Sequence, residues 1–210
     1  MSRRICLIVA VGIALSIRAN ADRIVRAPSG RITLPGHLTA RYLMPTIGSR
    51  TSARLNIGVP KDDLGLEMEV EALRPQRVTR TALNLHYSVI SEAFTNNLAP
   101  SVAVGIQDVL NTGASGRAAY LALSKTIPLS EAMETHLGTL RLHAGYGSRS
   151  MDGGWIGATV VTRYRIAVSA EYYRRRPAYS AQIDLVGPLQ AYAYRYDDTT
   201  YLGLGITLGR

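Results

Sequence analysis

Glu67, Glu69 and Glu71 stand at every second position of LGLEMEVEA (residues 64–72), with Leu64, Leu66, Met68, Val70 and Ala72 on the alternate positions. Three carboxylates on one side of a strand repel one another unless cations face them, so this spacing asks for arginines from adjacent segments. His86 and Ser88 lie two apart and share a face. Acyl transfer through them would need the imidazole to take the Ser88 proton and an acid to orient the ring. Both fall on the polar side of their segment, away from an approaching lipid, so two polar wall residues is the simpler reading. His37, His136 and His143 lack metal-ligand spacing, and neither a metal nor another cofactor is expected. Asp62-Asp63 and Asp197-Asp198 read as solvated acidic turns, and Arg174-Arg175-Arg176 before Pro177 as a basic hairpin turn. The glycines of GLGITLG, from Gly203, lack the strand-then-helix context of a nucleotide site and suit a strand better.

The elements that must position these groups begin after a leader. Arg3 and Arg4, an apolar run from Ile5 to Ile17, and Ala19-Asn20-Ala21 form the n-region, h-region and cleavage site of a secretory signal peptide over residues 1–21. Cys6 is the only cysteine and leaves with it, so no disulfide is available to residues 22–210. Cleavage removes Arg3, Arg4 and Arg18 and no acid, lowering the formal charge from +9 to +6, with 21 bases against 15 acids. Export excludes nucleic acid as the natural partner of this basic chain. Anionic polysaccharide and lipid head groups are the partners an exported protein meets.

From Thr33 onward the chain alternates with a period of two. Leu34, Leu38, Ala40, Tyr42 and Met44 oppose His37, Thr39 and Arg41; Ala53, Leu55, Ile57 and Val59 oppose Ser52, Arg54, Asn56 and Gly58. The pattern recurs in about twelve segments separated by turn clusters, after a loose start over Asp22–Ser29. AAYLALSK, GGWIGATVV and LQAYAYRY keep it less cleanly. Ser91–Leu98 reads as a short helix or loop, and Ser130 as a helix-start signal. No apolar stretch after Ala21 reaches the length of a spanning helix, so a membrane could be crossed only by a closed barrel. The apolar sets are almost free of charge. The opposite sets hold Arg54, Glu67, Glu69, Glu71, Arg80, His86, Arg141, His143, Arg165, Glu171, Asp184 and Arg195, the candidate polar lumen. Tyr42, Tyr87, Tyr146, Tyr164, Tyr172, Tyr179 and Tyr201 fall toward segment ends, as interfacial girdles require. The expectation is one all-β domain over residues 22–210, a closed antiparallel up-and-down β-barrel of the transmembrane type with about 10–12 strands.

Three central stretches carry a family resemblance. PSVAVGIQDVLNTG (residues 100–113), AAYLALSKTI (118–127) and LRLHAGYGS (140–148), followed by Gly153-Gly154 and Ala170-Glu171-Tyr172, resemble in that order the YjbH-like outer-membrane β-barrel family. The resemblance spans roughly Pro100 to Tyr172, about a third of the chain. It implies an outer-membrane, non-enzymatic barrel in contact with outer-membrane lipid. It further implies a structural or transport role in exopolysaccharide secretion or assembly, with exported polysaccharide or envelope secretion proteins as partners. The residues leave two alternatives: a lipid-modifying barrel enzyme using His86 and Ser88, and a soluble exported β-sandwich that binds carbohydrate.

Overall fold

The fold was read from a computed structural model, which describes residues 23–31, 33–48, 50–59, 64–73, 78–113, 116–130, 133 and 137–209. The expected leader, Asp62-Asp63, His136 and most of the segment after Ser130 lie outside the described residues. Among the described residues there are twelve strands: β1 (Leu38–Pro45), β2 (Arg50–Gly58), β3 (Leu64–Leu73), β4 (Val78–Ile90), β5 (Ser101–Gln107), β6 (Ala118–Ile127), β7 (Thr139–Gly147), β8 (Gly153–Val161), β9 (Ile166–Tyr173), β10 (Arg176–Asp184), β11 (Leu189–Tyr196) and β12 (Thr199–Leu208). Each strand pairs antiparallel with its sequence neighbours, and β1 pairs with β12, so the sheet closes into an up-and-down barrel. Closure leaves no unpaired edge. One irregularity, between Ser88 and Ile90, interrupts the register of β4 against β5.

The polarity of the molecule is inverted relative to a water-soluble fold. The outward positions are apolar and bare: Leu204 is 63% exposed, Ile156 65%, and Leu121, Leu142, Val168 and Leu202 are exposed likewise. Inward positions bury charge, including Arg54, Glu67, Glu69 and Glu171. An apolar band that wraps the whole sheet is far larger than the patches soluble monomers leave exposed, and hydrocarbon is the environment it suits. Tyr42, Tyr146, Tyr172 and Tyr179 project outward in the half of the barrel remote from the chain termini, and Tyr87 and Tyr164 project near the terminus end.

Three expectations need correction. Tyr201 is no girdle residue, because it pairs with Tyr194 on the inward face and packs against the buried core. Arg195 is exposed on the outward face, since Gln190, Tyr192 and Tyr194 take the inward positions of β11. Of the loose start expected over residues 22–29, residues 23–29 are almost entirely buried inside the barrel, as is Gly30 after them.

SEAFTNNL forms a 3₁₀ turn over Glu92–Thr95 at the terminus end. The Glu92 carboxylate accepts from Thr126 N at 2.9 Å and Thr126 Oγ1 at 2.8 Å and pairs with Lys125 Nζ at 3.2 Å, tying this connection to β6. Burial pushes this carboxyl up, but the Thr126 bonds and the Lys125 ammonium outweigh it and hold it below its ordinary value.

Two outcomes are expected. Leu204→Arg destabilises the barrel in lipid vesicles by about 2–4 kcal/mol in urea unfolding, the cost of a cation in hydrocarbon; a soluble exposed position would change by only about 0.5 kcal/mol or less. Because the Glu92 carboxyl is depressed in the folded state, its stabilisation is present at neutral pH and is lost as pH falls below the ordinary carboxylate range. Amide exchange at Thr126, corrected for its intrinsic rate, therefore accelerates only in acid.

Candidate lumen site and its plug

Glu67 organises the lumen. It is 0% exposed, and Arg23 Nε donates to its carboxylate at 2.7 and 3.0 Å. Asn84 Nδ2 donates to the same carboxylate at 2.6 Å, while Asn84 Oδ1 accepts from Asp108 N at 2.7 Å. Glu69 meets Arg54, its direct cross-strand partner in β2, at 2.9 and 3.0 Å. Neighbouring-strand pairing thus accounts for Glu69, whereas the cation on Glu67 comes from the N-terminal segment. Charges this deep need such partners, because an unpaired buried carboxylate is expensive.

That segment enters from the terminus end and turns back on itself, closed by an Ile24 N to Ala27 O bond of 3.0 Å and a bridge between Arg23 and Pro28. The successive amides of Val25, Arg26 and Ala27 donate to the Glu171 carboxylate at 3.0, 2.7 and 3.1 Å. Three consecutive N–H groups around one anion form a nest. Trp155 Nε1 donates to Pro28 O at 3.1 Å, and Gly30 N to Ser124 Oγ at 2.8 Å. Gly30 passes so close to the wall that a Cβ there would lie 2.4 Å from Ser124 N and 2.5 Å from Ser101 O. Ile24, Val25 and Ala27 share a core with Tyr120, Trp155, Tyr173, Tyr192 and Tyr194. Tyr120 and Tyr173 each pack edge-on against Trp155. These inward aromatics explain the blurred alternation of β6, β8 and β11: their lumen faces receive apolar chain instead of water.

Below the plug, toward the terminus end, a cavity of about 60 Å³ remains, room for only a few waters. Its walls carry Arg23, Arg31, Arg41, Arg141 and Arg165 and a single acid, Asp184, together with Ser169, Ser180 and Gln182. Arg41 stacks over Tyr192 at 4.8 Å. Arg141 Nε is buried with no hydrogen-bond partner among the described residues. His143 bridges Ser124 Oγ (2.7 Å) and Thr159 Oγ1 (3.2 Å), and Thr159 reaches Ser169 Oγ at 2.9 Å.

The expected lumen residues therefore divide. Arg54, Glu67, Glu69, His86 and Glu171 bond within the plug half, while Arg141, His143, Arg165 and Asp184 surround the vestibule. Arg165 does so from a turn with positive φ, one residue before β9 begins. Arg80 is exposed near the start of β4, in the stretch that extends beyond its pairing with β5. Glu71 pairs in register with Arg80, but its side chain lies outside the described residues. His86 hydrogen-bonds Tyr120 OH through Nδ1, and no bond joins it to Ser88. Among the described residues no group of three or more His, Cys, Asp or Glu is placed to hold a metal ion. Arg23, Arg31 and Trp155 were missed as lumen residues, and Arg41, placed on the polar side of its segment, was not among the candidates. Arg41 was recoverable from its alternation with Tyr42, but nothing in the pattern places Arg23 inside.

A closed, lipid-facing antiparallel barrel with a charged lumen is the architecture of outer-membrane barrels. No protein-family model matches the chain, and no curated protein matches it by sequence. Among solved structures, KdgM porin in complex with disordered oligogalacturonate is similar, with 14% identity, a TM-score of 0.54, and coverage of 83% of this chain and 99% of that one. KdgM porin in a second structure gives the same figures. Omp33, an outer-membrane protein of Acinetobacter baumannii, matches at 10% identity and a TM-score of 0.40, covering 83% of this chain and 97% of its own. At these identities the KdgM likeness bears on the fold.

Removing the Glu67 carboxylate strands Arg23. Glu67→Ala is expected to cost about 3–5 kcal/mol in vesicle unfolding, and Glu67→Ala with Arg23→Ala clearly less, because the pair is then deleted together. Equal costs would mean that water already meets the Arg23 charge.

Proposed function

We propose that the chain is an outer-membrane channel for acidic saccharides, with an exported acidic exopolysaccharide as its natural ligand. The observation that carries this reading is the vestibule: Arg31, Arg41, Arg141 and Arg165 line it beside Arg23, which Glu67 already holds, Asp184 is the one acid among the lining residues, and the buried Arg141 Nε has no hydrogen-bond partner among the described residues. Guanidinium forks match carboxylates bidentately. A cleft of one charge sign with low-dielectric walls also draws counter-ions in from solution. Ser169, Ser180 and Gln182 add the neutral donors and acceptors that sugar hydroxyls need. The apolar exterior supports residence in lipid, and the fold shared with KdgM porin supports passage through the barrel. The sequence motifs over residues 100–172 that resemble the YjbH-like family supply the exopolysaccharide part of the proposal. Catalysis through His86 and Ser88 is not favoured, since the imidazole is engaged with Tyr120.

Titration calorimetry on the vesicle-reconstituted barrel tests this. Oligogalacturonate is expected to bind, more weakly as salt rises, while a neutral malto-oligosaccharide of equal length does not. Arg141→Ala weakens binding by about tenfold, as loss of a charged hydrogen bond would. Equal affinity for the neutral sugar would defeat the proposal.

A further inference from the structure

Resting on that reading, a second problem appears: a cavity of about 60 Å³ passes no sugar. The obstruction is residues 23–30, and their attachment differs in kind from that of any strand. No ladder joins them to the sheet; their one β-bridge, Arg23 with Pro28, is internal to the segment. Their polar hold on the wall consists of a carboxylate in a backbone nest, an ion pair with Glu67, single bonds to Trp155 and Ser124, a long bond of 3.5 Å from Arg54 to Val25 O, and the Arg26 guanidinium over the Tyr196 ring. Each of these can be exchanged for an equivalent partner without disturbing the barrel ladder.

The segment also belongs to the vestibule. Arg23 and Arg31 line the cavity from the plug side, facing Arg41, Arg141 and Arg165 on the wall and near it. A uronate carboxylate entering the vestibule offers Arg23 what Glu67 offers it now. Further carboxylates can occupy the amides of Val25, Arg26 and Ala27 in place of Glu171. We infer that residues 23–30 are a displaceable plug, and that an acidic saccharide opens the lumen by competing for the plug's own cationic and amide groups. The ligand that binds is thereby the ligand that gates, and neutral sugars neither bind nor open.

The molecule supplies its own reporters. Trp155 is the only tryptophan in the chain and touches the plug directly. Ala27 is 0% exposed. In a background with Cys6→Ser, Ala27→Cys in reconstituted full-length protein is treated with a membrane-impermeant maleimide, with and without oligogalacturonate. Position 27 is expected to be protected without ligand and to label about tenfold faster at saturating oligogalacturonate, a shift of about 1.4 kcal/mol in the opening equilibrium. Trp155 emission shifts to the red in parallel as its Pro28 acceptor leaves. A neutral malto-oligosaccharide changes neither signal. Gly30→Val, which drives a side chain into Ser101 O and Ser124 N, and Glu171→Ala, which empties the nest, each expose position 27 without ligand.

Calorimetric binding of oligogalacturonate with position 27 still protected would overturn the gate and leave the binding reading intact. Absence of binding would defeat the acidic-saccharide reading and the ligand trigger with it. Continued protection in both Gly30→Val and Glu171→Ala would show that the segment is a fixed part of the barrel core.

Discussion

Charge buried inside a closed barrel must be met from inside the barrel, and most of this structure follows from how that is done. Glu69 finds Arg54 directly across the β2–β3 ladder. Glu67 and Glu171 take their direct partners from the N-terminal segment, one through the Arg23 guanidinium and the other through three backbone amides. The wall thus needs the plug to neutralise its acids. The plug in turn needs the wall, because a tight chain reversal leaves amide groups that the segment cannot satisfy alone.

The same arrangement divides the lumen. In the plug half, Glu67 and Glu69 are paired with Arg23 and Arg54, Glu171 is held by backbone amides, and aromatic side chains close around Ile24, Val25 and Ala27. On the terminus side the lining is rich in arginine with Asp184 as its one acid, a vestibule that suits a soluble anion. A twelve-stranded barrel is wide enough to hold a folded-back segment as well as its own side chains. The plug therefore fills space that the strand number created.

Much of the barrel was legible from residue order alone. The alternation of β1 to β5, β7, β9, β10 and β12 follows from one face meeting hydrocarbon and the other a polar interior, and a period of two records that contrast directly. The signal weakens at β6, β8 and β11, where Tyr120, Trp155, Tyr192 and Tyr194 point inward. Apolar residues on both faces erase the contrast that periodicity detects. Arg195 was misplaced for the same reason: with tyrosines on the inward side of β11, the one arginine looked like the lumen residue. Arg80 keeps the inward parity but lies where β4 extends beyond its pairing with β5, and parity carries no information about depth.

By itself the sequence determined the all-β alternation, the direction each clean strand faces and the presence of Glu67, Glu69 and Glu171 on the inward side, because these are local consequences of a two-residue repeat between turns; within the expected range of about 10–12 strands, it was the closed sheet that fixed twelve. Only the tertiary structure decided what the inward side encloses. Residues 23–30 have no two-residue period, and in isolation they read as a loose end. Their place is set by partners more than 40 positions away in Glu67 and more than 140 away in Glu171. Contacts of that range exist only once the barrel has closed around them.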